Sequence, residues 1–325
     1  MNNANDIFKI KGLKIGHAEN REGQTGVTVF LFEDGATAGV DVRGSAPGTR
    51  ETDLLNPVNL VDKIHAVVLS GGSAFGLDAM SGVVKYLEEN GIGFDTGPAK
   101  VPIVTGAVLY DLEIGNPKVR PGAQMGYEAC KRANNNSFEL GNHGAGTGAV
   151  IGKLKGLDFA MKSGIGSHTL VFDNGLVVSA VAAVNALGDV YENGEQIAGL
   201  LDESGTKLKE TKDEIINGYK PEVFEGTNTT LGIVLTNAKV TKTEATKISQ
   251  AAHDGFARAI NPVHTMYDGD IIFTAATAEV ELVSIDDQIF LAVAAAEAME
   301  KAIISAVKNA EPAAGLKAYK NLSNK

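Results

Sequence analysis

The chain has 325 residues, 44% hydrophobic and 21% charged, with 40 acidic against 29 basic side chains and a net charge of -11. That length holds one large domain or two ordinary ones, and the composition is that of an ordinary globular protein. The acid excess argues against a nucleic acid or an anionic membrane as the main partner, because such affinity comes from clustered Lys and Arg.

The N-terminus, MNNANDIFKIKGLKIGH, lacks an apolar core between a basic region and a cleavage site, and no run of about 18 apolar residues appears anywhere. A cytoplasmic protein is expected. Val27–Phe32 and Ala38–Val42 alternate as strands, and Asp34-Gly35 between them reads as a hairpin turn. A Gly/Pro loop with two arginines, Arg43 and Arg50, follows. His65–Leu69 is a strand that enters Ser70-Gly71-Gly72-Ser73 and then a helix over 77–90. A nucleophile elbow fails there, because Phe75 stands where the second glycine belongs. Neither a dinucleotide fingerprint nor a Walker lysine is present, so the glycines read as close packing of turn and helix.

Tyr110 is either a buried tyrosine with a paired hydroxyl or a site-lining one. Cys130, the one cysteine, excludes a disulfide framework and a multi-cysteine metal site, and reads as a small core residue on a helix. Gly141–Gly148 is the densest glycine run. His143 within it has no second ligand at metal spacing, so no metal site is expected. A long apolar strand ends at Asn185. An amide there is costly unless satisfied, so it either caps the turn or presents its NH2 to a developing oxyanion.

Residues 199–225 are charged and non-periodic, and read as flexible. They lead into Gly226–Ala238, polar at first and then apolar from Leu231 to Leu235, which reads as a buried strand. Taken alone, Asn228 and Thr229 are a polar loop before that strand. A helix follows over 243–260, with Ala245, Ile248, Ala252, Phe256 and Ala259 on one face. Asp268-Gly269-Asp270 then precedes the strand Ile271–Thr274. It is either an Asp-Gly turn or a coupled carboxylate pair able to orient an amine or take a proton. An alanine-rich helix over 286–308 closes the fold, and the tail from Glu311 reads as frayed. Strands, glycine turns and helices alternate with no linker or repeat, which gives one α/β domain over residues 1–325 with sheets covered by helices.

Several stretches, in this order, resemble one family: RGSAPGTRE (43–51), LSGGSAFGLDA (69–79), GAGTG (144–148), VAAVNALGDV (181–190), TNTTLGIVLTNA (227–238) and HDGFARAINPVHTMYDGD (253–270). The chain resembles the peptidase S58 group of self-cleaving hydrolases, which includes DmpA-type aminopeptidases, β-peptidyl aminopeptidases and nylon-oligomer hydrolases. The resemblance implies a four-layer αββα sandwich. It also implies a precursor that cuts itself between Asn228 and Thr229, giving an α chain Met1–Asn228 and a β chain Thr229–Lys325. By resemblance Thr229 is the nucleophile, Asn185 the oxyanion partner and Lys162 the site lysine, with Lys153 and Lys155 as alternatives. Asp268 and Asp270 match the pair that orients the nucleophile and its amine, and Tyr110 matches a pocket tyrosine. No cofactor or metal is implied, and the assembly implied is a homotetramer of αβ units.

The physics of such a site is coherent. A threonine hydroxyl needs a base, and cleavage frees one in the same residue, an α-amine with a reference pKa of about 7.7–8.0. A threonine nucleophile with two aspartates resembles the nylon-oligomer hydrolase branch, whereas the aminopeptidase branch uses a serine with a serine and a glutamate. The expectation is an amide hydrolase of 6-aminohexanoate oligomers or related linear amides. The competing expectations are an aminopeptidase that releases N-terminal residues, including β-amino acids, an acyltransferase of the ornithine acetyltransferase kind, and a non-enzymatic protein on the same scaffold.

Overall fold

A computed structural model describes residues 4–220, 228–282 and 284–322. Its architecture follows from one long strand. Strand β1 (Leu13–Asn20) pairs antiparallel with β2 (Thr25–Val42), an 18-residue strand rich in β-branched and aromatic residues. The first part of β2 also pairs with β3 (Lys63–Ser70), which in turn pairs parallel with β4 (Val104–Val108). The register of β2 against β3 shifts between Leu31 and Ala36, and β2 then continues along a different neighbour. That neighbour leads to the other strands: β5 (Ile165–Val171), β6 (Val177–Asn185), β7 (Thr229–Ala238) and β8 (Ile271–Val280). The order is β5-β6-β7-β8-β2-β3-β4, with the short edge strand Gly48–Arg50 outside β4. Asp34-Gly35 was expected to reverse the chain. Instead the strand runs through it, with Gly35 at φ 78°, and carries the sheet from one layer to the next.

Strand alternation sorts the side chains. Phe30, Phe32, Val67 and Leu69 meet Val181, Leu231, Ile233, Leu235 and Phe273 in a central core between the two halves of the sheet. Their neighbours Val29, Leu31 and Val68 point outward, against Met80 and Val83 of α1 (Ala79–Glu89) and Ala129 and Cys130 of α2 (Ala123–Arg132). On the opposite outer face Val234 and Ile272 pack against Phe256 of α3 (Lys242–Ala259) and Met299 and Ile303 of α4 (Ile285–Asn309). The layers are therefore helix, sheet, sheet, helix, as expected. Thr241 starts α3 with a capping box to Glu244, and Ser284 does the same for α4 with Asp287.

Two further expectations change. The segment after residue 199 is tied down in part, because Asp189 accepts hydrogen bonds from Leu200 N, Thr211 N and Thr211 Oγ1 and so anchors the short helix Thr211–Ile216. The remaining part, residues 221–227, lies outside the described residues. The tail from Glu311 is not frayed up to residue 322. Lys162 N donates to Lys317 O at 2.7 Å, and Glu311 N donates to Asn142 Oδ1 at 2.9 Å.

The two outer helices α1 and α2 touch through glycine. A Cβ on Gly82 would lie 1.7 Å from Ala123 O, and one on Gly126 would lie 1.9 Å from Ala79 O. Both obstacles are backbone, so neither can step aside. Gly126→Ala is expected to lower unfolding stability by about 1–3 kcal/mol, as overpacking does. Denaturant titration measures this, and an unchanged midpoint would show that the helices separate without cost.

Candidate active site

Three strand ends meet at one edge of the second half of the sheet. Strand β6 runs antiparallel to β7, so the C-terminal residue of one, Asn185, stands opposite the N-terminal residue of the other, Thr229. Strand β8 runs parallel to β7, with Leu231 opposite Ile271, so the residues before β8 lie beside those before β7. Asn228 consequently bridges to Asp268. Register alone gathers Thr229, Asn185, Asp268 and Asp270, which are all buried.

The Asn228–Thr229 peptide is held closely. Thr229 Oγ1 donates to Asn228 O at 2.5 Å, and Gly269 N donates to the same oxygen at 2.8 Å. That carbonyl therefore carries two donors. Thr230 N donates to Asp270 Oδ1 at 2.7 Å. Gly269 is required at its place, because a Cβ there would fall 2.6 Å from Thr229 Oγ1 and 2.7 Å from Ala46 O. The Asp268-Gly269-Asp270 turn is braced by the arginine-bearing loop before it. Arg43 N and Gly44 N donate to Asp270 O, and Ala46 N donates to Asp268 O. The two carboxylates are dressed differently. Asp268 Oδ2 accepts Thr265 N at 2.8 Å and Thr265 Oγ1 at 2.5 Å, whereas Asp270 Oδ2 meets His264 Nδ1 at 2.8 Å. Burial pushes the Asp268 carboxyl above its usual range and the adjacent Asp270 pushes it further, against the pull of Thr265 and Lys153.

Asn185 is fully engaged on its oxygen side. Its Oδ1 accepts Val150 N and Lys153 Nζ, both at 3.1 Å, and its Nδ2 donates to Tyr110 O at 2.9 Å. These partners fix which way the amide faces, with its NH2 away from the two donors. Lys153 Nζ also donates to Asn185 O at 3.1 Å. Of the three lysines that the sequence leaves open, Lys153 is thus the one joined to Asn185. Lys155 pairs with Glu214 at 2.5 Å. Lys162, the first choice from resemblance, donates from Nζ to the carbonyls of Gly146 (3.1 Å), Ala149 (2.9 Å) and Ser163 (2.5 Å). It braces the Gly144–Gly148 turn from inside the core. Tyr110 gives the site its carbonyl oxygen, and its half-buried phenol is pushed upward in pKa by burial, then by Glu113 and Asp111.

Sequence reasoning left Lys153 as an alternative to Lys162 and missed the parts played by Gly269 and His264. The glycine between two aspartates and the histidine four residues before Asp268 were visible, but only the fold gives them partners. Nothing in the sequence separates Lys153 from its neighbours. Among the described residues no group of three or more His, Cys, Asp or Glu could hold a metal ion, and no helix is long and apolar enough to cross a membrane.

The model of Peptidase family S58 matches residues 5–321. The chain belongs to peptidase family S58. Membership makes it an amide-bond hydrolase. An uncharacterized aminopeptidase of Mycobacterium leprae (strain TN) is 36% identical over 346 residues, covering 97% of this chain and 93% of its own length. A 6-aminohexanoate-oligomer endohydrolase of Agromyces sp. (strain KY5R) is 32% identical over 280 residues, covering 85% of this chain and 76% of its own. Among solved structures, the β-aminopeptidase of Burkholderia sp. superposes with a TM-score of 0.73 at 20% identity, covering 99% of this chain and 93% of that one. The L-aminopeptidase D-Ala-esterase/amidase of Ochrobactrum anthropi, described as a variant of the Ntn hydrolase fold, gives 0.74 at 16% identity over 95% and 87%. These two superpositions establish that this S58 member shares their fold.

The buried lysines of the S58 chain carry a pH signature. Burial lowers Lys153 from 10.5 to about 7 in the folded protein, against the opposing pull of Asp268 and other carboxylates. Between those values the unfolded chain binds one proton more than the folded chain, so this group makes stability rise with pH. The slope is at most about 1.4 kcal/mol per pH unit, and it vanishes below about pH 7. In a Thr229→Ala background, Lys153→Met is expected to flatten the stability gain between pH 7.5 and 9.5. Urea unfolding at the two pH values measures it, and identical slopes would mean that Lys153 is charged in the fold.

Proposed function

We propose that this S58 hydrolase is activated by cutting its own Asn228–Thr229 bond, and that Thr229 then serves as an N-terminal nucleophile on linear amides. The observation that carries the reading is the Thr229 hydroxyl at 2.5 Å from Asn228 O, on a carbonyl already polarised by Gly269 N–H.

In the first reaction Thr229 Oγ attacks the Asn228 carbonyl carbon and its proton passes to the departing nitrogen. The amide becomes an ester and the Thr229 α-amine is freed. Water hydrolyses the ester and leaves Asn228 as a carboxylate. In the second reaction the free amine takes the proton from Thr229 Oγ as the oxygen attacks a substrate carbonyl. The oxyanion meets the Asn185 amide, which Lys153 and Val150 N–H orient. The amine returns the proton to the leaving nitrogen, and water releases the acyl group. Asp268 and Asp270 hold the new ammonium near the nucleophile between steps.

For substrate, the threonine with two aspartates supports 6-aminohexanoate oligomers or other linear amides of that shape. A second reading, an aminopeptidase, is supported by the higher identity to the mycobacterial relative, 36% against 32%. Assays in parallel on aminohexanoate oligomers and on amino-acid p-nitroanilides separate the two by which shows the larger kcat/KM. A cytoplasmic homotetramer of αβ units completes the proposal, and sedimentation of the purified protein tests the assembly.

The decisive experiment is N-terminal sequencing of fragments resolved on a denaturing gel. Wild type is expected to give two chains, the smaller beginning at Thr229, while Thr229→Ala stays whole and inactive. An intact wild-type chain with full activity would overturn the mechanism.

A further inference from the structure

Behind the carboxylate pair stands a histidine that the reaction above does not use. His264 has a left-handed backbone, φ 55°. Its Nδ1 lies 2.8 Å from Asp270 Oδ2 and its amide N lies 3.2 Å from the same oxygen. The other oxygen, Oδ1, accepts Thr230 N–H. Asp270 thus links His264 to the residue that follows the nucleophile. Beside a carboxylate acceptor Nδ1 carries the hydrogen, and Nε2 is then a buried acceptor with no partner among the described residues.

The ring is held on two sides. It stands edge-on to His253 at a centroid distance of 4.8 Å and lies flat against Phe256 at 5.9 Å, both from α3. The titratable and charged groups around it are Asp268 and Asp270 from its own loop and His253 from α3. Asp41 and Arg43 lie behind His253, and Lys153 lies across from Asp268.

We propose that His264 is a positioning residue for Thr229. Its two N–H groups clamp Asp270 Oδ2, so that Oδ1 faces Thr230 N–H. The inference rests on Thr229 being the nucleophile. Three N–H donors reach Asp270, from Thr230 and twice from His264, whereas Asp268 receives an N–H and an O–H from Thr265 alone on one oxygen. A carboxylate held at both oxygens does not rotate, and the Thr230 amide it holds is one peptide away from the Thr229 hydroxyl.

The test uses the full-length precursor, refolded from denaturant, with the appearance of the two chains timed on gels and Tm measured on each variant. His264→Asn keeps an N–H near the Nδ1 position and tolerates a left-handed backbone; His264→Gly keeps the backbone and loses the donor. The glycine variant is expected to cleave about 10–100-fold more slowly. The asparagine variant, which restores a donor to Asp270 Oδ2, is expected within about threefold of wild type. A glycine variant with the wild-type rate overturns the proposal. So does an asparagine variant no better than glycine, or cleavage rates that follow the fall in Tm of the two variants, the mark of a purely structural residue. If the glycine variant does not fold, His264→Gln replaces it, since its amide reaches the Nε2 position and leaves Oδ2 without the ring donor. A wild-type precursor that never separates at Thr229 overturns the nucleophile assignment instead, and so the two failures are told apart.

Discussion

Asn185 and Thr229 face each other across an antiparallel strand pair, and the rest of the site is arranged around that register. A slip of one residue would turn Thr229 from one face of the sheet to the other and move Leu231, Ile233 and Leu235 out of the central core. The core therefore enforces the site. Burying alternate side chains of β7 between the sheet halves is what fixes the hydroxyl beside the Asn228 carbonyl.

Around this register the protein buries charge that most folds avoid. Lys153 and Lys162 are both sunk beneath the surface, and burial lowers each to about 7. Each has acceptors for its ammonium, yet to different ends. Lys162 Nζ joins three carbonyls around the glycine turn, and the same turn leads to Val150, whose N–H reaches Asn185 Oδ1. Lys153 reaches Asn185 directly. One lysine orients the amide and the other holds the loop that helps to orient it. Both arrangements are costly in isolation and become tolerable because each Nζ meets backbone carbonyl or amide oxygens.

Much of the fold was legible. The apolar face of α3 and the apolar run of β7 have periods that survive in the structure, because local periodicity and burial agree there. The Asp34-Gly35 turn was misread because a bulge and a hairpin use the same residues, and only the pairing partner distinguishes them. The tail after Glu311 looked frayed because its anchors, Asn142 and Lys162, lie more than 150 residues earlier in the chain. In the site, Asn185 and the two aspartates were visible as polar residues at the ends of apolar strands, where an unpaired polar group is costly and so stands out. Lys153 stood only as one of three choices, since three lysines within ten residues have equal local character.

The sequence by itself determined the S58 family, the layers of the sandwich and which polar residues end the strands, because motif order and hydrophobic period are properties of the linear chain. Tertiary structure decided which lysine meets Asn185, that Gly269 supplies an N–H to the Asn228 carbonyl, and that His264 stands behind Asp270. Those choices depend on register and on backbone approach between segments far apart in sequence, and a hydrogen bond that forms only when two strand ends coincide leaves no mark on either strand alone.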